Sequence, residues 1–340
     1  MASTHLTTEP RPVRWGILST ASIGLRRIVP VLRQNPGLMQ LQAIASRSQA
    51  AADAAAQAHG IPVAHGSYED LLADPQVDAI YNPLPNHLHV PLTLAAVQAG
   101  KHVLCEKPFS MNAAELAVLR PHASRVHIRE AFMVRHHPQW TAVRQALRGG
   151  AIGTLRFMQV PFAYFNDDAA NIRNIAATGG GALYDIGCYA IAAARWCFER
   201  EPERVVCAME RDPVFGTDRL SSGVLDFGPG GQMVFNVSTQ AHRYQRLHLV
   251  CSAGRLEVEM PFNAAQGAPT RYWLEDAAGL RTIDLPPADQ YLLQMEAFSR
   301  AVQAEAPTAA GLDEAEAGMR IIDALFASAA SGRFEAVAKG

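Results

Sequence analysis

The chain has 340 residues, 49% hydrophobic and 18% charged, with a formal net charge of −2. That length suits about two domains, and that balance excludes a disordered or collagen-like chain. The near-neutral charge gives no electrostatic reason for a nucleic-acid or membrane partner, and no apolar run approaches the roughly 20 residues of a membrane span. Residues 1–12 are polar and read as a flexible N-terminus without the apolar centre of a secretory signal, so a cytoplasmic chain is expected. Cys105, Cys188, Cys197, Cys207 and Cys251 are odd in number and form no Cys-x-x-Cys pair, which fits reduced, buried thiols.

A strand is expected over 13–18, followed by small residues up to Gly24. A helical pattern then runs through Leu25, Ile28, Val29 and Leu32 to the breaker Asn35-Pro36-Gly37. Further strands are expected over 39–45, 77–81, 102–105 and 126–129, with helices over 49–59, 90–99 and 113–120. This alternation predicts an α/β domain over 13–130, a doubly wound parallel sheet with helices on both faces. Ligands of such sheets sit outside the carboxyl ends of the strands, which points to the loops 19–23, 46–48, 82–89 and 106–108. From Leu155 the strands follow one another, over 155–161, 204–209, 220–227, 233–238, 247–251 and 256–259, with turns at 228–231 and 252–254 and one helix over 184–198. An α+β domain over 131–310, on an open and largely antiparallel sheet, is the expectation. Helices over 291–303 and 312–331 close the chain. The last lines up Ala315, Met319, Ile322 and Phe326, so the segment 311–340 needs an apolar partner surface, expected on the first domain.

A dinucleotide-binding turn needs small residues, because the pyrophosphate approaches the backbone and rests on a helix N-terminus. Ser19, Ala21 and Gly24 occupy the places of the G-x-G-x-x-G glycines, so Ser19, Thr20, Ala21, Ser22 and Ile23 are candidate cofactor contacts. The competing reading is an ordinary strand-to-helix turn. At the end of the second strand stands Ser46-Arg47-Ser48, where NAD binders usually carry a carboxylate. A carboxylate would repel a 2′-phosphate and the guanidinium fork of Arg47 pairs with one, so NADP(H) is favoured over NAD(H), with Ser46 and Arg47 as contacts. A solvated arginine at a helix start is the alternative.

Three segments carry a family resemblance. They are Leu84-Pro85-Asn86-His87-Leu88-His89, the run Gly100-Lys101-His102-Val103-Leu104-Cys105-Glu106-Lys107-Pro108, and Gly179-Gly180-Gly181-Ala182-Leu183-Tyr184-Asp185-Ile186-Gly187-Cys188-Tyr189. Together they resemble the glucose–fructose oxidoreductase / inositol dehydrogenase / rhizopine catabolism (Gfo/Idh/MocA) family. The resemblance spans nearly the whole chain and is nearest to its sugar ketoreductases, NADP-dependent xylose dehydrogenases and dimeric dihydrodiol dehydrogenases. It implies a Rossmann domain followed by an open-sheet domain often used for oligomerisation, here as a homodimer or homotetramer. It implies that Lys107 sits beside the nicotinamide and the substrate oxygen, that Glu106 fixes the cofactor ribose and Lys107, and that the bond before Pro108 is often cis. By the same resemblance Pro83, Leu84, Asn86 and His89 line the nicotinamide half of the cofactor, and Arg135 approaches it. The sequence departs from the family at Ser19, where glycine is commoner.

The residues support those roles independently. Hydride transfer at a carbinol carbon also moves a proton at its oxygen, so an acid/base group must reach that oxygen. Tyr189 has an ordinary pKa near 10, and an ammonium beside it favours tyrosinate, so Lys107 is expected to lower it and to stabilise developing alkoxide. Asp185 and Tyr189 are four apart and share a helix face. The plainer alternatives are a loop lysine, a packed helix aromatic and a helix N-terminal charge. The glycines 179–181 read as a close-approach or hinge feature, since no lysine follows at phosphate-loop spacing. The pairs His87/His89 and His136/His137 lack zinc-site spacing, so no metal is expected. Asn171 and Arg173, in a polar stretch with Asn166, Asp167 and Asp168, are candidate substrate contacts; a solvated loop competes with that reading. The expected activity is an NADP(H)-dependent oxidoreductase acting on a sugar or polyol. The alternatives are a trans-dihydrodiol dehydrogenase and a non-catalytic NADP-binding sensor.

Overall fold

The computed structural model describes residues 11–340, so all of the expected flexible N-terminus except Arg11 and Pro12 lies outside the described residues. Six parallel strands, β1 (Val13–Leu18), β2 (Met39–Ala45), β3 (Val63–His65), β4 (Ala79–Asn82), β5 (His102–Cys105) and β6 (Ile128–Glu130), form one sheet in the order β3-β2-β1-β4-β5-β6. Strands β1, β4 and β5 are nearly continuous apolar runs, as a sheet covered on both faces requires. The order turns back between β1 and β4, so their carboxyl ends diverge into a crevice. The sequence reading missed β3 and the helix Tyr68–Ala73. Both are short, and the helix start rests on one Ser67 hydroxyl accepting from the Asp70 N–H at 3.0 Å.

The second sheet has ten strands: β7 (Leu155–Phe165), β8 (Arg204–Arg211), β9 (Asp218–Asp226), β10 (Gln232–Ser238), β11 (Gln240–Gln245), β12 (Leu247–Cys251), β13 (Arg255–Val258), β14 (Thr270–Asp276), β15 (Gly279–Leu285) and β16 (Glu335–Ala336). Its order is β15-β14-β13-β12-β7-β10-β9-β8-β16, with β11 beside β7. Only β7 and β10 pair in parallel. Strand β7 runs past Pro161, where the sequence reading ended it. The missing N–H falls where the antiparallel neighbour changes from β12, facing Gln159, to β11, facing Phe162, and the Pro161 carbonyl still accepts there from the Arg246 N–H at 3.1 Å. The helix Pro138–Arg148 was also unexpected; Pro138 takes its first position, and the His137 ring accepts from the Gln139 N–H.

The helix Ala310–Ser331 ties the two halves together. Its Asp323 accepts from the Ala113 N–H at 2.9 Å, and its Ser328 hydroxyl accepts from the Cys207 N–H, in the second sheet, at 3.0 Å. Leu312, Ala315, Met319, Ile322 and Leu325 are buried in one core that spans both sheets. The helix Gln290–Ala304 covers the other face of the first sheet, with Phe298 against Trp15 at 5.4 Å between ring centroids. All five cysteines are free and buried, and no described helix is long and apolar enough to cross a membrane.

Candidate active site

The carboxyl ends of the first sheet open into a cleft of about 1230 Å³ whose opposite wall comes from the second domain. Its near end is the turn after β1. Ser19 holds φ = +80°, a left-handed conformation that glycine adopts more readily than serine. The Ser19 hydroxyl accepts from the Ala21 N–H at 3.2 Å, which offsets part of that strain. A Cβ on Gly24 would approach Ile17 Cγ2 at 3.2 Å, so the third small position lets the helix lie close on β1. Ala21, Ser22 and Ile23 face the cleft, and the helix they open has no side-chain cap, leaving its N–H groups for a pyrophosphate. Ser19 and Thr20 form the base of the turn without lining the cleft. At the end of β2 the Ser46 N–H bonds to the His65 carbonyl and the Ser48 hydroxyl caps the next helix. Arg47 between them is exposed and makes no ion pair among the described residues. Neither Ser46 nor Arg47 lines the cleft, and the Ser46 N–H is already bonded to His65; the uncapped N–H groups after β1 and the Arg47 guanidinium, with no carboxylate at the β2 end, are the donors that fit an NADP(H) molecule.

The chemical end of the cleft is built from both domains. Glu106 and Lys107 follow β5, and the bond from Lys107 to Pro108 is cis. The Lys107 ammonium donates to the Asp185 carbonyl at 2.6 Å and to its carboxylate at 3.2 Å. The other Asp185 oxygen accepts from the Tyr164 hydroxyl at 2.6 Å and from Arg173 Nε at 3.0 Å. Burial opposes ionisation of Asp185, but the Lys107 and Arg173 cations outweigh it and hold the carboxyl well below the usual range. Burial likewise disfavours the Lys107 ammonium, and Asp185 overcomes it, so the lysine stays charged. Glu106 accepts from the Tyr81 hydroxyl and, at 3.4 Å, from the Lys107 N–H; burial pushes its pKa up against the pull of Lys107.

Tyr189 meets Lys107 differently from expectation. The ammonium lies over the ring face, 4.7 Å from its centroid, and the hydroxyl contacts Met133 Sδ at 3.6 Å. Burial pushes the Tyr189 pKa well up; Lys107 opposes this, as expected, but does not reverse it. The net lowering of the Tyr189 pKa expected from Lys107 is therefore not found.

Pro83, Leu84, Asn86 and His89 line the cleft as expected. His89 is buried, with its ring nitrogens 2.8 Å from the Pro108 carbonyl and 2.6 Å from that of Leu84, and burial lowers its pKa to about 4. Both contacts can be hydrogen bonds only when both ring nitrogens carry protons, and burial opposes that charge, so the neutral ring bonds to one loop at a time. Asn86 donates to the Gly179 carbonyl at 2.8 Å, and a Cβ on Gly179 would strike Asn86 and Met111, so the glycine run permits a close approach between the domains. Asn171 and Arg173 both reach the cleft, Asn171 accepting from the Arg173 N–H at 3.1 Å. Arg135 does not. It pairs with Glu314 and lies 5.3 Å from the Trp196 ring, on the far side of the helix Cys188–Phe198, because its short turn aims Met133 at the cleft instead. Tyr164, Met133 and Tyr291 line the cleft and were missed. The alternation of Phe162 and Tyr164 beyond Pro161 was the one available signal for Tyr164.

Residues 13–134 match the description "Oxidoreductase family, NAD-binding Rossmann fold", and residues 140–257 match "GFO/IDH/MocA C-terminal domain". The chain belongs to the Gfo/Idh/MocA oxidoreductase family. An uncharacterized oxidoreductase of Rhizobium meliloti is 42% identical, over 96% of this chain and 99% of that one. A D-xylose 1-dehydrogenase (NADP(+)) of Haloferax volcanii is 36% identical, over 94% and 98%. Among solved structures, a 3-ketoreductase from Actinomadura kijaniata in complex with TDP-benzene and NADP superposes with a TM-score of 0.87 at 28% identity, over 94% of this chain and 98% of that one. The two-domain Gfo/Idh/MocA architecture thus accounts for the parallel sheet, the open second sheet and the cleft between them.

Proposed function

We propose that this Gfo/Idh/MocA member is an NADP(H)-dependent oxidoreductase that interconverts a sugar or polyol alcohol and its carbonyl form, working in the cytoplasm. The observation that carries the reading is the Lys107 ammonium, fixed by the Asp185 carbonyl and carboxylate on the wall of a cleft that begins at a dinucleotide-type turn. When bound, the nicotinamide supplies or takes up the hydride. Lys107 stabilises charge developing on the substrate oxygen. In carbonyl reduction Tyr189 gives its phenol proton to the substrate oxygen and is left as tyrosinate beside the Lys107 ammonium, and alcohol oxidation runs this transfer in reverse; sulfur is a weak acceptor, so the hydroxyl leaves Met133 at little cost and turns to the substrate. Asp185 positions Lys107, and Arg173, Asn171 and Tyr164 give the far wall the donors and acceptors a polyhydroxylated substrate needs. Arg47 holds the 2′-phosphate. The substrate preferences of the xylose dehydrogenase and the ketoreductase support this class.

The same reading makes the protein a homodimer or homotetramer. On the open face of the second sheet Phe157 faces Val250 across β12, and Val234 faces Val224 across β9. Phe157 and Val234 remain 41% and 40% exposed, a patch suited to a second copy of the chain. The deciding experiment follows absorbance at the NADPH band against aldoses, including D-xylose, keto-sugars and vicinal diols, in both directions. Turnover of a sugar with NADP(H) is expected. Turnover confined to cyclic dihydrodiols, or of no alcohol or carbonyl tested, would overturn the proposal.

A further inference from the structure

We propose a second ligand site, separate from the cleft, in the cavity of about 280 Å³ between β6, the helix Cys188–Phe198 and the helix Ala310–Ser331, which takes an uncharged ring compound carrying an adjacent hydrogen-bond donor and acceptor. The cavity and the cleft share no lining residue.

The main observation is Gln294. It is 2% exposed and lines the cavity, yet neither its amide nitrogen nor its amide oxygen has a hydrogen-bond partner among the described residues. Buried amides with both ends free are rare, because the desolvation of each end goes uncompensated. A primary amide presents a donor and an acceptor side by side, and the complement is another amide-like edge. Leu104, Ile191, Trp196, Phe298 and Met319 supply apolar wall for a ring, and His127, His136, Thr308 and five arginine and glutamate side chains also line the cavity.

Charge excludes an ionic ligand. Each arginine at the cavity already has a carboxylate: Arg129 with Glu305 at 3.2 Å, Arg195 with Glu201 at 2.7 Å, and Arg135 with Glu314. Glu130 accepts from the Phe109 N–H at 2.8 Å, and burial pushes its pKa up to about 8, so it is neutral at pH 7. The cavity therefore offers hydrogen bonds without a free charge. Gly318 keeps it open: a Cβ there would meet nothing nearer than Arg195 Nη1 at 3.7 Å.

The test uses ε-caprolactam, an uncharged ring with a cis amide, titrated calorimetrically with NADPH saturating so that the cleft is filled. Cycloheptanone has the same shape and lacks the donor; cyclohexanecarboxylate carries a charge. Caprolactam is expected to bind saturably at about millimolar or tighter, as suits so small a ligand. Both controls should bind at least tenfold more weakly. Gln294→Leu removes the amide at similar volume, and Gly318→Leu fills the space; each should weaken caprolactam at least tenfold and leave NADPH binding unchanged, which also shows the variants are folded. Equal binding of caprolactam by all three proteins, its failure to bind the wild type, or a crystal structure in which it leaves ordered waters on Gln294 would overturn the proposal.

Discussion

Lys107 is the side chain on which the two domains meet, and its surroundings make its removal informative. Lys107→Ala leaves Asp185 facing Arg173 and Tyr164, a pairing that still keeps the carboxylate satisfied. NADPH affinity should stay within about tenfold while kcat falls by about 10² or more. Tyr189→Phe removes a hydroxyl whose only partner among the described residues is Met133, so folding should survive and kcat/KM for alcohol oxidation should fall by about 10²–10⁴, with loss of the basic limb of its pH profile. A Tyr189→Phe enzyme with the wild-type rate and limb would move the proton donor to Lys107. Arg47 stands free at the end of β2, so Arg47→Ala should cost roughly 10- to 150-fold in NADPH affinity and little in NADH affinity, read by fluorescence titration of both. Glu130 allows a pH test. Its folded pKa of about 8 lies above the unfolded value near 4.3, so the native state holds the extra proton between those limits. Stability should therefore fall as pH rises through that window, by at most about 1.4 kcal/mol per pH unit. Urea unfolding at several pH values should show this slope for the wild type and its loss in Glu130→Gln.

At the level of single elements, the turn after β1 concentrates strain and function in one residue. Ser19→Val places a β-branched side chain at φ = +80° and should destabilise by about 1–3 kcal/mol in thermal or urea unfolding, while Ser19→Gly, which suits that backbone, should leave stability within about 1 kcal/mol of wild type. A Ser19→Val protein as stable as the wild type would show that the turn is not strained. The turn itself was legible because small residues between an apolar strand and a periodic helix have few other uses. Strands β2, β5 and β12 were legible residue for residue, since each is an apolar run or an apolar alternation ended by a clear breaker. The hairpin β14–β15 was not: β15 is an edge strand whose residues are mostly exposed, so burial leaves little pattern on it. Arg135 was misplaced for a related reason. A four-residue turn, Met133–His136, has no period long enough to tell which side chain faces the cleft. Tyr164 was hidden by a proline whose strand context depends on a partner swap that only the assembled sheet reveals. The Lys107–Asp185 pair is separated by 78 residues, and local pattern could bring it together only through the family resemblance.

On the scale of the whole molecule, the open face of the second sheet is the surface proposed for assembly. Val234 lies in the middle of β10, among the exposed apolar side chains of that face. Val234→Glu should leave the secondary structure and thermal midpoint nearly unchanged in dilute solution but shift the protein to monomer in light scattering after size exclusion. A variant that keeps the wild-type oligomer would place the interface elsewhere. The cleft itself depends on the mutual position of the two sheets, because Lys107 follows β5 of the first and Asp185 lies in the short helix Leu183–Gly187 that packs on the second.

The helix Ala310–Ser331 has a consequence for synthesis. The Ala113 N–H waits 210 residues for Asp323, and the stripe Ala315, Met319 and Ile322 completes a core begun by strands near residue 100. At about 5–20 residues per second, a ribosome leaves that surface uncovered for roughly 10–40 seconds after the first sheet has emerged. Every candidate active-site residue has been made by then, so a chain cut short before residue 310 would carry the full chemical apparatus on a domain with a bare apolar flank. A chain ended before residue 310 should therefore bind a hydrophobic dye and be cut by protease faster than the full chain, and equal resistance would show that the last helix is not needed to cover that flank.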